Sequence, residues 1–180
     1  MAEAERRDHL RQGHVFDTTP QRRDLWLLLL VFLADRPLAE LTSTEFHADG
    51  YEQHLLGLSS EFTDDEITRI LLSSAIALRV IDDRDGGILD KLDACGQLQP
   101  DSLSDEAEPL SMREACNKIV HATKVNYDVE RLDGGPVEQL GVSPPYLRPT
   151  VYLYGSHRKT TWRCTLDIIR FVRGATVALQ

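Results

Sequence analysis

Arg113, Asn117 and His121 stand four residues apart, and on a helix of about 3.6 residues per turn that spacing stacks them in one polar column. A guanidinium, an amide and an imidazole in line could hold a phosphate. The same three side chains could equally form a hydrogen-bonded seam that orders a core. A column of this kind needs a helix to display it. Ser111 followed three residues later by Glu114 is a capping box, so a helix starts near Met112, with Met112, Ala115, Ile119 and Val120 on its buried side.

Other elements must position that helix. Residues 25–34 are the most apolar run, and Thr19 as N-cap with Pro20 at the first helical position gives them an orderly start. The run is too short to cross a bilayer and reads as a core helix ending near residues 35–37, with no membrane segment. Residues 38–58 give mixed signals, with a turn at Asp49-Gly50 and solvent-facing His47 and His54. A second capping box, Thr63-Asp-Asp-Glu66, predicts a helix over 64–82 whose buried face carries Ile67, Ile70, Leu71, Ser74, Ala75, Leu78 and Ile81. Gly86-Gly87 stops it. Arg79, Asp82 and Asp83 near its end are placed to face the polar column.

Residues 88–95 read as one short helix closed by Gly96, and 97–109 as an acidic solvent loop. Residues 124–132 alternate weakly, and 133–136 break the pattern. Pro144, Pro145 and Pro149 bracket a stiff connector. Residues 150–155 and 160–165, rich in Val, Tyr, Thr and Trp, form a β-hairpin. A terminal helix follows, burying Leu166, Ile169, Val172 and Leu179. The expected fold is mainly α: a helical bundle with a small C-terminal antiparallel β-hairpin followed by a terminal helix. Residues 1–16 form a flexible N-terminal arm and 17–180 a single helical domain.

Length and composition fit one globular unit: 180 residues, 42% hydrophobic and 27% charged. Cys95, Cys116 and Cys164 include no Cys-x-x-Cys pair, so neither a disulfide framework nor a zinc site is expected, and a reducing cytoplasmic compartment fits. No cofactor motif is present. The net charge of −9 opposes nonspecific grip on nucleic acid. Charge is uneven, however: Arg148, Arg158, Lys159, Arg163, Arg170 and Arg173 face the single acid Asp167 in the last fifth. These cations are the candidate surface for an anionic partner.

The segment Cys116-Asn-Lys-Ile-Val-His121 resembles the signature of the HEPN superfamily. Those proteins are helical bundles in which an arginine, often followed by a polar residue, precedes a histidine on one helix. In active members the resemblance implies metal-independent RNA cleavage at a site composed across a homodimer. Asn117 and His121 stand where the polar residue and the histidine belong, but Cys116 stands where the arginine belongs. A thiol carries neither the fixed charge nor the planar fork that suits a phosphate. The resemblance therefore implies a noncatalytic helical module that binds a protein or nucleic-acid partner, RNA included, with a homodimer among its implied states. Two other readings stay open. One is a metal-independent ribonuclease using His121 and Arg113, with Asn117 beside them; the other is a structural or assembly protein without a ligand site. Exposure of His121 in a cleft beside Arg113 keeps binding and catalysis open, whereas its burial against a main-chain partner favours the structural reading.

Overall fold

The computed structural model describes residues 17–45, 52–132, 145–158 and 160–180. The expected N-terminal arm, the Asp49-Gly50 turn, His47, the break at 133–136, Pro144 and Lys159 lie outside them, as does the side chain of His54. Helix α1 spans Thr19–Glu45 and α2 spans Glu52–Arg84. A 3-10 turn, Leu89–Lys91, precedes strands β1 (Gly96–Gln99) and β2 (Glu108–Pro109), helix α3 (Met112–His121) and strand β3 (Lys124–Arg131). Strands β4 (Pro145–His157) and β5 (Thr160–Asp167) and helix α4 (Ile168–Ala178) complete the chain.

The chain is therefore not a helical bundle with an added hairpin. Its hairpin is the centre of a five-stranded, fully antiparallel sheet ordered β2-β1-β5-β4-β3. The expected acidic loop supplies two of its strands, and the weakly alternating stretch after α3 supplies an edge. The expected short helix at 88–95 is only the 3-10 turn. Pro145 opens β4, and Pro149, which has no amide proton to donate, lies just before the pairing of β4 with β5 begins at Thr150. The β3–β4 register shifts between Tyr127 and Val129, opposite this segment, and pairing resumes at Val129↔Leu147. That bulge absorbs the missing donor.

Both long helices overrun their expected limits. Asp17 Oδ1 accepts the Thr19 amide at 2.9 Å, so capping begins two residues ahead of the expected cap. α1 then passes through Pro37 and runs on to Glu45. The carbonyl that Pro37 leaves without a donor is that of Leu33, on the solvent side, where water can satisfy it. In α2 the Thr63–Glu66 motif lies mid-helix. The Glu66 carboxylate bonds Arg69 instead of turning back toward Thr63, at 2.7 and 2.9 Å. The expected stop is real: Gly86 (φ 75°) and Gly87 (φ 84°) adopt left-handed backbone, and the Gly87 amide donates back to the Asp82 carbonyl.

One core joins these layers. Leu25, Leu28 and Phe32 of α1, Ile67, Ile70, Leu71, Ala75 and Leu78 of α2, and Met112, Ala115 and Cys116 of α3 pack with Phe171 and Ala175 of α4. All meet the inner sheet face of Leu98, Val151, Leu153, Trp162, Cys164 and Leu166. The terminal helix buries Val172 and Leu179 as expected but not Ile169. Leu166 is buried as a strand residue, and Ile168 and Phe171 point inward while Ile169 is exposed. Val120 is likewise exposed. Gly155 lets the Trp162 ring lie against the sheet, since a Cβ there would meet that ring and the His121 carbonyl.

Candidate functional site

Ser111 Oγ accepts the Glu114 amide at 3.2 Å and starts α3 where expected. Only this half of the capping box forms, because Glu114 turns along the helix to accept from Asn117 Nδ2 at 2.9 Å and to meet Lys118 Nζ at 3.1 Å. Burial opposes ionisation of Glu114, but these two donors outweigh it and hold its carboxyl below the ordinary value. Lys118 Nζ also sits 4.6 Å from the Trp162 ring centre. Asn117 thus belongs to a neighbourhood already closed by its own helix.

Arg113 turns toward the end of α2. It pairs with Asp82 through Nη1, and its Nη2 donates to Asp83 Oδ1 at 3.0 Å. Asp82 is wholly buried, and its Oδ1 accepts the Leu89 amide at 2.8 Å. One carboxylate so ties together the last turn of α2, the 3-10 turn and α3. His121 is exposed at the far end of α3, two turns and about 12 Å along the axis from Arg113. The three residues share a helix face without converging on a point. Cys116, in the place of the signature arginine, is buried, and burial pushes its thiol up to about 12. At neutral pH it is neither a thiolate nor a phosphate ligand.

The five described C-terminal cations are dispersed. Arg148 lies 3.5 Å from Glu130 and 3.8 Å from Asp128 at one end of β4. Arg158 occupies the hairpin turn with φ 57°, and Arg163 Nε donates to Gln99 Oε1 at 2.7 Å. Arg170, 3.5 Å from Asp167, and Arg173 line a separate cleft of about 480 Å³ against residues 92–94. A second cavity, of about 420 Å³, lies between Asp35 and Leu38 of α1, Asp64 of α2 and Tyr146 of β4. Among the described residues no group of three or more His, Cys, Asp or Glu could hold a metal ion. None of the described helices is long and apolar enough to cross a membrane.

Two surfaces were not foreseen. The outer side of α1 and α2 is apolar, with Trp26, Leu30, Leu33, Leu41, Phe62, Leu72, Ile76 and Val80 exposed. The run at 25–34 contained the signal, since it is apolar at nearly every position and not at every third or fourth. On the sheet side away from the core, β4 displays Tyr152 and Tyr154. Lys124 stands across from Tyr154 on β3 and Arg163 across from it on β5. Val-Tyr-Leu-Tyr already shows the alternation, and β5 beside it was expected, but β3 on its other side was not. No protein-family model matches the chain, and no curated protein or solved structure shows significant similarity to it.

Proposed function

We propose that this chain is a noncatalytic interaction module that works as a symmetric pair, the outer face of α1 and α2 in one copy covering the same face in the other. The observation that carries this reading is that α1 is apolar on both sides. Leu25, Leu28 and Phe32 are buried in the core, while Trp26, Leu30 and Leu33 opposite them are 58%, 41% and 56% exposed. A helix on the surface of a monomer keeps one apolar stripe; a helix apolar all round belongs between two packed layers.

Phe62, Leu72, Ile76 and Val80 extend the patch across α2. Together these side chains expose apolar area on the order of the roughly 800 Å² per partner that a stable interface buries. The row Trp26, Leu30, Leu33, Pro37, Leu41 contains no charged residue. A second copy is the occupant that such a row suits, because every charge near a two-fold axis meets its own like, and this chain carries net −9. One ionic group on the face is satisfied from within, while the exposed Asp65 stands in the same α2 row between Phe62 and Leu72. Arg69 makes four hydrogen bonds, two to Asp24 and two to Glu66, so covering it orphans none of those donors.

Sedimentation equilibrium tests this directly. Wild-type protein should run at twice the monomer mass at micromolar concentration, and Trp26→Glu with Leu33→Glu should run as a folded monomer with an unchanged circular dichroism spectrum. A wild-type chain that stays monomeric at tens of micromolar refutes the proposal.

A further inference from the structure

The opposite side of the molecule offers a different chemistry. Residues 151, 153 and 155 of β4 point into the core, so Tyr152 and Tyr154 stand on the outer face, half-buried by their neighbours, with no described helix packed over them. Their Cα atoms lie about 7 Å apart along the strand. That is roughly twice the 3.4 Å step along one strand of duplex DNA, so flat groups resting on both rings would be splayed and not stacked on each other. The strand register places a cation on each side of the second ring. Lys124 faces Tyr154 from β3, its Nζ 5.8 Å from the ring centre and near the outer limit of cation–π contact, and Arg163 faces it from β5. Amides occupy the adjoining positions: Asn126 lies across from Tyr152, and Gln99 lies beyond Arg163 on β1.

Two part-exposed aromatic rings, flanking cations and side-chain amides on one sheet face are what an unpaired nucleotide strand requires. Bases stack on rings whatever their identity, phosphates follow the cations, and amides meet base edges. We infer that the outer face of β3, β4, β5 and β1 binds single-stranded nucleic acid through stacking on Tyr152 and Tyr154 with phosphate contacts from Lys124 and Arg163. The acids near this face, Asp128 and Glu130 beside Arg148 and Asp167 at the end of β5, all lie toward the Thr150 end of β4, which leaves the Lys124 and Arg163 end for phosphates. Duplexes are excluded because their bases are already stacked and paired. The surface lies on the side of the sheet away from α1 and α2, so the inference does not depend on the proposed pairing.

Fluorescence anisotropy with end-labelled oligouridylate, oligothymidylate and a mixed-sequence duplex, each roughly 12 nucleotides long, tests it. Both single strands should bind and the duplex should bind at least tenfold more weakly. Affinity should fall steeply with salt, because each phosphate contact releases counterions. Tyr152→Ala and Tyr154→Ala should each weaken binding by at least about fivefold, Phe at the same positions should restore it, and Lys124→Glu with Arg163→Glu should abolish it at unchanged melting temperature. Equal binding of duplex and single strand, indifference to both tyrosine changes, or no binding at low salt would overturn the inference.

Discussion

Replacing Arg113 by alanine asks whether the cation of the polar column serves chemistry or the fold. Its partner Asp82 is wholly buried and spends one oxygen on the Leu89 amide, so the other oxygen depends on the guanidinium. Deleting one member of a buried pair strands the other's charge and costs about 3 to 5 kcal/mol. Arg113 is 33% exposed at its side chain, so water can reach the vacated site and the lower end, about 3 kcal/mol, applies. For a chain of this length that is a fall of roughly 6 to 12 °C in melting temperature. Asp82→Asn keeps an acceptor for Leu89 but discards the charge, and it should cost less than Arg113→Ala. Arg113→Ala combined with Asp82→Asn should recover part of the loss, since no buried charge is left unpaired and Leu89 keeps its acceptor, and the double-mutant cycle should show coupling above about 1 kcal/mol. Thermal and urea unfolding of the four proteins measure this. An Arg113→Ala variant that melts with the wild type would remove the structural role assigned to this residue.

His121→Ala should leave stability within about 0.5 kcal/mol, as expected of an exposed residue, and purified protein should degrade a labelled RNA no faster with His121 than without it. Gly155→Val should lower stability by about 1 to 3 kcal/mol through overpacking, with a shifted Trp162 emission, because the new side chain meets that ring and the His121 carbonyl. Burial raises the thiols of Cys95, Cys116 and Cys164 from an ordinary 9.0 to about 12. A raised folded value means the neutral thiols contribute fully below pH 9.0 and lose that contribution as pH climbs toward 12. Urea midpoints should therefore drop above pH 9.0, less steeply in Cys164→Ala when each protein is referred to its own midpoint at neutral pH.

Local signals in the sequence were read well where one residue type answers one backbone need. Ser111 caps α3, Gly86 and Gly87 end α2, and the strands on either side of Arg158 form their hairpin. Local signals misled where tertiary partners outbid them. The Thr63–Glu66 box starts no helix because the chain is already helical from Glu52, and Glu66 bonds Arg69, itself held by Asp24 across the helix pair. Strand β1 escaped notice because Leu98 is its one buried side chain, leaving no alternation to count, and β2 has only two residues. Without those strands the sheet shrank to a hairpin and the chain looked like a bundle. The column on α3 was placed on the right helix and the acids at the end of α2 were placed to face it, but nothing local in the sequence marked Asp82 as wholly buried, which makes the pair with Arg113 structural.

The two borders of the sheet bear on how this protein can fail. One edge is β2, two residues long and ending in Pro109, which has no amide to offer a passing chain. The other is β3, broken by the register shift after Tyr127 and charged at Lys124, Asp128, Glu130 and Arg131. Neither border is a template for a further strand. Growth by endless strand addition, the usual route to fibrils for an exposed sheet, is blocked at both ends, so misassembly of this chain at high concentration should be amorphous and should not produce ordered cross-β fibres.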